Sequence, residues 1–204
     1  PTIAADRPSV TVDEGDTATN TGQVSDPDGD AVSLTSSVGT VTNNSDGTWS
    51  WCFATSDGPT ESQTVTITAD DGQGGTAQTT FDLTVYNVAP QVTIGVPTGS
   101  ALFSSGALVD LSASFSDPGT NDIHTCSIDW GDGTTDPGTI SETDGAGTCT
   151  DSHTYNTAGS PTITVTVTDD EGDAGTDTAA VEIVQLSLPE GTEGTVTTDP
   201  EGNT

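Results

Sequence analysis

The sequence has almost no basic residues. A single base, Arg7, stands against 32 aspartates and glutamates, and the formal net charge is −31 at pH 7. Nucleic acid attracts proteins mainly through cationic side chains, so this balance excludes a nucleic-acid partner. An anionic membrane surface is disfavoured for the same reason. Self-repulsion of this strength also destabilises a compact chain unless cations offset it.

Long apolar runs, methionine and helical periodicity are missing as well. No stretch approaches the roughly 20 apolar residues that a membrane helix needs, so we expect no membrane span in this segment. No signal peptide opens the chain, and we expect a mature fragment of an extracellular or cell-surface protein. The acidity is compatible with a prokaryotic host, and a marine or halophilic one would explain the total charge.

Apolar residues are scarce, at 29%, but they alternate with polar ones in short runs. Low hydrophobicity with high charge is typical of disorder, whereas this alternation indicates half-buried strands. Valine and threonine favour strands, and turn motifs such as "DPDGD", "SDGT" and "GDGT" separate the runs. The fold class predicted is all-β, and about seven strands per unit indicate immunoglobulin-like β-sandwiches. In the first unit we predict strands at Ser9–Val12, Thr17–Val24, Val32–Ser37, Gly39–Thr42, Thr48–Phe53, Gln63–Ala69 and Ala77–Tyr86.

The chain repeats itself. "VTITADDGQGGT" begins at Val65 and "VTVTDDEGDAGT" at Val165, an offset of 100. "VSDPDGD" at Val24 is answered by "FSDPGTND" at Phe115, where the offset is 91. The difference predicts about nine extra residues in the second unit, which we place in the loop "PGTISETDGAGT".

These repeats divide the chain into 1–88, 89–185 and 186–204. The last piece contains "DPEGN", a near copy of "DPDGD", and we interpret it as the start of a third unit or as a linking strand. Only Asn87–Pro90 separates the first two units, which is too short for a floppy tether. We therefore predict an extended, rod-like array. Strand donation by Thr192–Thr198 to a neighbouring copy is a variant of this arrangement.

The two units resemble two known families. The first, through "TVDEGDT", "SDPDGD", "NSDGTWSW" and "TADDGQGGTA", resembles bacterial cadherin-like and VCBS-type repeats. The second, through "IDWGDGT", "HTYNTAG" and "TITVTVTDDEG", resembles the polycystic-kidney-disease (PKD) domain. Both resemblances imply immunoglobulin-like sandwiches in tandem arrays on microbial surfaces or in secreted enzymes.

Aspartate greatly outnumbers glutamate, and its short carboxylate suits turns and calcium coordination. The families place calcium where the Asp-Pro loop, the acid-ended strand and the incoming linker meet. The second loop reads "DPGTND", so Asp122 or a carbonyl must replace the missing second aspartate there. The Ca²⁺ ligands that the resemblance and the alternating acids predict are Asp26, Asp28, Asp30 and Asp70 or Asp71 in the first unit, and Asn87, Asp117, Asp122 and Asp169 or Asp170 in the second. Two alternatives stay open: ordinary Asx turns and general adaptation to high salt.

We predict no catalytic residues. In "DWGDGT", Ile128 and Trp130 share one face and should be buried, so Asp129 and Asp132 belong to a hairpin turn. The only histidines are His124 and His153, and no nucleophile elbow of the G-x-S-x-G type accompanies them.

Three cysteines are present. Cys126 should point inward, and we predict a disulfide with Cys149, which would close a loop of 23 residues and imply an oxidising compartment. Cys52 is left as a buried lone thiol, with an intermolecular link as the alternative.

The function predicted is a non-catalytic structural repeat segment, namely an adhesin stalk, surface layer or extracellular filament, stiffened by calcium at its joints. Its partners would be neighbouring repeats or other copies of the chain. The alternative is an accessory module of a secreted hydrolase that binds a glycan or a surface protein. Aromatic residues, at 4%, are too few to favour a large binding face.

Overall fold

A computed structural model describes residues 1–185, which form two β-sandwiches of similar topology. All the regular elements in this range are strands. No helix there is long and apolar enough to cross a membrane. The predictions for residues 186–204, including strand donation by Thr192–Thr198, lie outside the described residues.

The first domain consists of two four-stranded sheets. One sheet has the order β1-β3-β6-β5 and the other β2-β8-β7-β4, which is the immunoglobulin arrangement of facing sheets. The strands are β1 (Thr2–Ala5), β2 (Ser9–Asp13), β3 (Thr17–Ser25), β4 (Ser33–Ser36), β5 (Thr40–Asn43), β6 (Thr48–Ala54), β7 (Gln63–Asp70) and β8 (Thr76–Tyr86).

All seven strands predicted in this domain are confirmed, with ends that shift by about one residue. The structure adds β1, which was not predicted and which pairs antiparallel with β3. Its sequence, "TIAA", combines two strand-favouring residues with two alanines and is too short to show an alternating pattern. The first strand of the sandwich is in fact divided, because the chain leaves one sheet after Ala5 and joins the other at Ser9.

The second domain repeats this plan and adds one edge strand. Its sheets have the orders β14-β15-β11-β9 and β10-β17-β16-β12-β13. The strands are β9 (Gln91–Val96), β10 (Ala101–Ser104), β11 (Leu108–Ser116), β12 (Thr125–Asp129), β13 (Thr135–Pro137), β14 (Thr139–Thr143), β15 (Ala146–Thr154), β16 (Thr162–Thr168) and β17 (Ala174–Val184).

The pairing of the last two strands in each domain shows that the offset of 100 residues between the repeats is wrong. In the first domain Asp70 pairs with Thr76, and in the second Thr168 pairs with Ala174, so equivalent positions differ by 98 (174 − 76), not 100. A slip of two residues keeps every side chain on its own face, so alternation alone could not detect it. The second domain therefore has seven extra residues (98 − 91), and the stretch assigned to a loop forms the β14–β15 hairpin.

Each sandwich has its own core. In the second, Ile128 and Trp130 are fully buried, as their shared parity predicts. The hydroxyl of Tyr155 donates to the carbonyl oxygen of Trp130 at 2.7 Å, so the polar end of this buried ring is satisfied. In the first, Trp49 and Trp51 occupy the same side of β6 and are buried against the facing sheet.

The cysteine prediction is confirmed in one part and wrong in another. Cys126 on β12 and Cys149 on β15 form a disulfide that ties the two sheets of the second domain together. Cys52 is a free thiol, but it is exposed, not buried. The physical reason is that the tryptophans of β6 take the core face, which leaves Cys52 on the solvent face of its sheet.

We predict that the double variant Cys126→Ala, Cys149→Ala lowers the free energy of unfolding by about 3 kcal/mol, because the closed loop no longer restricts the unfolded chain. Urea denaturation with and without reductant measures the change. Cys52→Ala is the matched control and should leave stability within about 0.5 kcal/mol of the parent. Equal stability of the double variant and the control would contradict the role of the disulfide.

Candidate metal centre

Acidic side chains from both domains converge where the domains meet. The turn after β2 and the loop after β6 contribute from the first domain. The β11–β12 loop and the β16–β17 hairpin contribute from the second. The linker Asn87–Pro90 runs between them. We call this region the joint.

Backbone contacts hold the two sides of the joint together. Gly15 has a φ of +77°, and a Cβ built on it would lie 2.7 Å from the Cβ of Pro118, so a side chain at this position would separate the domains. Asn121 donates twice to Ser56, from its backbone N–H to the carbonyl oxygen at 3.2 Å and from Nδ2 to Oγ at 2.8 Å.

Three buried carboxylates form the centre of the joint. Oxygen atoms of Glu14, Asp117 and Asp122 lie within 4.8 Å of one another. The three residues are only 2%, 7% and 7% exposed. Glu14 comes from the first domain and the two aspartates from the second, so the cluster exists only while the domains are docked.

Backbone amides hold the first two carboxylates in place. The oxygens of Glu14 accept hydrogen bonds from the N–H groups of Gly58 and Val88, both at 2.8 Å. Asp117 Oδ1 accepts from the N–H of Gly119 at 2.8 Å. Each carboxylate oxygen still has a lone pair directed elsewhere. Burial is the largest influence on the pKa of Glu14 and raises it; the two amides lower it, the nearby Asp117 and Asp169 raise it, and the net shift is upward.

Asp122 has no partner at all among the described residues. Both its side-chain oxygens are buried and accept no hydrogen bond. Burial, and then the charges of Glu14 and Asp117, raise the pKa of Asp122 to about 7. A buried carboxylate without a donor is costly, so Asp122 is the strongest indication that an additional positive group belongs here.

A second cluster shares Asp122. Its oxygens also lie within 4.8 Å of those of Asp170 and Glu171, which are exposed. Burial and the charges of Asp170 and Asp57 raise the pKa of Glu171. Two further oxygens in this region, Oδ1 of Asp57 and Oδ1 of Asn87, are buried without a partner.

The remaining predicted joint ligands organise the linker. Asp169 Oδ1 accepts from the N–H groups of Gly172 and Asp173, which closes the hairpin. Its Oδ2 accepts from Nδ2 of Asn87 at 3.0 Å, and Asp173 accepts from the same nitrogen at 2.9 Å. Of the two alternatives in the second domain, Asp170 therefore belongs to a cluster, whereas Asp169 positions the linker amide.

His124 contacts Asp117, one of the three buried carboxylates. It is 4% exposed. Its Nε2 lies 3.3 Å from Oδ2 of Asp117, and its Nδ1 lies 2.9 Å from Oε2 of Glu142. The histidine therefore orients a carboxylate of the buried cluster, in the way that outer residues commonly orient metal ligands.

The five acids predicted in the first domain come together less closely. Asp26 and Asp71 both approach the nitrogen of Pro1, at 3.1 and 4.0 Å. Asp26 Oδ1 also accepts from the N–H groups of Asp28 and Asp30, as an Asx turn does. Asp70 closes a similar turn through the N–H of Gly72. Within the described part of the first domain alone, no three acids, histidines or cysteines converge as they do at the joint.

Sequence reasoning missed Glu14, Asp57 and Glu171. Glu14 lies in "VDEGD", whose glycine requires a tight turn and could have marked the preceding side chain as one presented at the end of the domain. Glu171 lies beside the predicted Asp170 in the repeated hairpin. Asp57 carries no pattern of its own, because its position depends on how the domains dock.

The second pair of an acid and a histidine, Asp132 and His153, lies at the β12–β13 turn and packs on Trp130. His153 Nε2 lies 2.8 Å from Oδ2 of Asp132, and the imidazole stacks on Trp130. Thr134 and His153 bind the Asp132 carboxylate and, despite some burial, lower its pKa to about 2. Asp129 Oδ1 accepts from the N–H of Gly131 in the predicted turn.

The donor set of the joint fits a hard divalent cation. Its groups are carboxylate, amide and carbonyl oxygens, and calcium takes six to eight such ligands in flexible geometry. The four orphaned oxygens of Asp57, Asn87 and Asp122 are the groups that such an ion would satisfy.

Comparison with known families agrees with the two-domain architecture. Residues 1–84 match the model of a bacterial Ig domain, and residues 87–183 match the model of a PKD domain. After these two matches, we call the chain the Ig–PKD tandem. Domains of these families are typical of extracellular or surface proteins and are typically non-catalytic.

Several solved structures are similar to this Ig–PKD tandem at low sequence identity. The titin domains Z1Z2, in a complex with telethonin, have 20% identity and a TM-score of 0.45, over 90% of this chain and 96% of that chain. The fibronectin(III)-like modules of CbhA from Clostridium thermocellum have 13% identity and a TM-score of 0.40, over 94% and 100%. The adhesin InvE from Yersinia pseudotuberculosis has 15% identity and a TM-score of 0.35, over 88% and 58%. No curated protein matches the chain.

We predict that, in the presence of a chelator, Asp122 makes the Ig–PKD tandem less stable as pH rises. The pKa of Asp122 in the folded protein, about 7, lies above the ordinary value of 3.8, so the native state binds an extra proton between these values and stability falls with rising pH there. Asp122→Asn should flatten this slope and stabilise the chelated protein at pH 8 by about 1–3 kcal/mol.

Urea denaturation at pH 5, 6, 7 and 8 measures the effect. Asp110→Asn, which removes an exposed carboxylate of the same domain, is the control. If both variants retain the parent's pH slope, Asp122 is not the buried acid that the structure places there.

Proposed function

We propose that this Ig–PKD tandem is a non-catalytic structural segment of a secreted or cell-surface protein, and that calcium bound at the joint holds its two domains at a defined angle. Adhesin stalks, surface layers and extracellular filaments need segments of this kind. The observation that carries the proposal is the buried cluster of Glu14, Asp117 and Asp122, because its ligands come from both domains.

The location of the acids supports calcium over general salt adaptation. A salt-adapted surface needs solvated carboxylates, whereas Glu14, Asp117 and Asp122 are at most 7% exposed. Like charges that are buried together raise one another's pKa and destabilise the fold unless a cation intervenes. With Arg7 as its single basic side chain, the segment has little positive charge of its own with which to neutralise them.

The two clusters support a pair of cations bridged by Asp122. Glu14 and Asp117 flank one position, and Asp170 and Glu171 flank the other. Asp122 is the side chain common to both. Calcium, when bound, would supply the positive charge that these carboxylates lack. Ligands from both domains and a linker of four residues then restrict rotation about the joint.

Secretion and the absence of catalysis are supported by other features. The Cys126–Cys149 disulfide suits an oxidising compartment. Both histidines are engaged by carboxylates, and within the described residues no serine or cysteine hydrogen-bonds to either imidazole. We therefore assign His124 and His153 to packing and positioning.

We predict that isothermal titration calorimetry with calcium distinguishes the two proposed cation positions. Glu14→Gln should remove one bound ion, Glu171→Gln the other, and Asp122→Asn both, relative to the parent. Counting differences between variants leaves any binding at Asp26 and Asp71 out of the comparison. Asp110→Asn, on an exposed strand face, is the control and should bind as the parent does.

Two outcomes would limit or overturn the proposal. If Asp122→Asn loses one ion only, a single cation occupies the joint. If Glu14→Gln and Asp122→Asn bind as many ions as the parent, or if sodium chloride at equal ionic strength suppresses all binding, the joint is not a calcium site and the salt-adapted interpretation of the acidity is correct.

A further inference from the structure

One aromatic side chain lies apart from the two cores. Tyr86, the last residue of β8, is 55% exposed. The other eight aromatic residues of the chain are buried or half-buried. An exposed tyrosine next to a domain boundary is a usual anchor for a partner, because its rigid ring offers a large contact area at low entropic cost.

Tyr86 lines a groove that crosses the joint. The groove has a volume of about 610 Å³, with apolar surface from Pro59 and Tyr86. Acidic residues complete its lining: Asp13 from the first domain, and Glu171 and Asp173 from the second. It borders the cleft beside Glu14 and Asp117, with which it shares Asp13, and it shares Asn87 and Glu171 with the groups proposed to hold the cations.

The carboxylates of the groove have no cation of their own. Asp13 forms no side-chain hydrogen bond or ion pair within residues 1–185. Asp173 is held in position by Nδ2 of Asn87 at 2.9 Å, and this neutral donor leaves its charge in place. Even if a cation at the joint neutralises Glu171, the groove keeps two carboxylates beside an exposed ring.

We infer that this groove binds an arginine side chain of a protein partner. A guanidinium group is planar, so it can stack on the ring of Tyr86 while its N–H groups reach carboxylates at the edge. A lysine ammonium cannot stack in this way and is more strongly hydrated. A neutral glycan could stack on the tyrosine and donate hydroxyl hydrogen bonds to Asp13 and Asp173, but it would leave their negative charge unneutralised, which a guanidinium would not. This interaction goes beyond the structural role proposed above.

The test uses the intact tandem at saturating calcium and physiological ionic strength. The probe is the capped peptide Gly-Arg-Gly, and its neutral citrulline analogue is the matched control ligand. Titrations followed by amide chemical shifts should show changes confined to Val85–Asn87, the Asp13 turn and Glu171–Asp173. Tyr86→Ala should weaken binding about two- to fivefold, the range expected for an exposed cation–π contact. Tyr86→Phe should bind nearly as the parent does.

Charge is tested separately from the ring. Asp13→Asn and Asp173→Asn should each weaken binding of the arginine peptide and leave the citrulline analogue unaffected. Asp110→Asn, elsewhere on the surface, should change nothing. Shifts spread over many acidic surfaces, or equal affinity of the parent and Tyr86→Ala, would overturn the inference. So would shifts at Tyr86 caused by maltotriose but not by the arginine peptide, because the groove would then be a glycan site. These readouts differ from the calcium count, so this inference and the proposed function can fail independently.

Discussion

Electrostatic repulsion among buried carboxylates is the constraint on which this structure depends. The Ig–PKD tandem brings Glu14, Asp117 and Asp122 together out of water, and each would be more stable alone. Backbone amides and His124 stabilise the first two, but nothing among the described residues stabilises Asp122. In the proposed function, a divalent cation from solution would convert this repulsion into a link between the domains, and for this reason we propose the joint as the functional centre of the segment.

The sequence was sufficient to predict the sandwiches. The alternation of apolar and polar residues located every strand of the first domain except β1. The burial of Ile128, Trp130 and Cys126 could be predicted because residues two apart on a strand point to the same face. The offset in residue number between equivalent positions of the two repeats could not be predicted correctly. A two-residue slip preserves alternation, so the true offset of 98 could be read only from the hydrogen-bonded pairs. The solvent-facing position of Cys52 depended on which side of β6 the tryptophans occupy.

Only the part of the joint that the second domain contributes could be predicted from the sequence. Aspartates that follow strands, such as Asp117 and Asp170, are visible in a sequence because turn motifs repeat. The turn glycine after Glu14 marks only a domain end, and the joint role of Glu14 and Asp57 is not visible because it depends on how one domain docks on the next. The same reason explains Tyr86: a strand-ending tyrosine resembles a core residue until the neighbouring domain shows that its ring faces a groove. Sites shared between domains are therefore the features that single-sequence reasoning finds last.

The central claim is that calcium restricts the angle between the domains, and a distance distribution tests it most directly. Cys52 is an exposed native thiol on the first domain, and Thr178→Cys adds an exposed position on the second, so spin labels can be attached with the Cys126–Cys149 disulfide intact. We expect a narrow distribution of label distances with calcium and a broad one with chelator at the same ionic strength. Equal widths in both conditions, or narrowing by sodium chloride alone, would contradict the account.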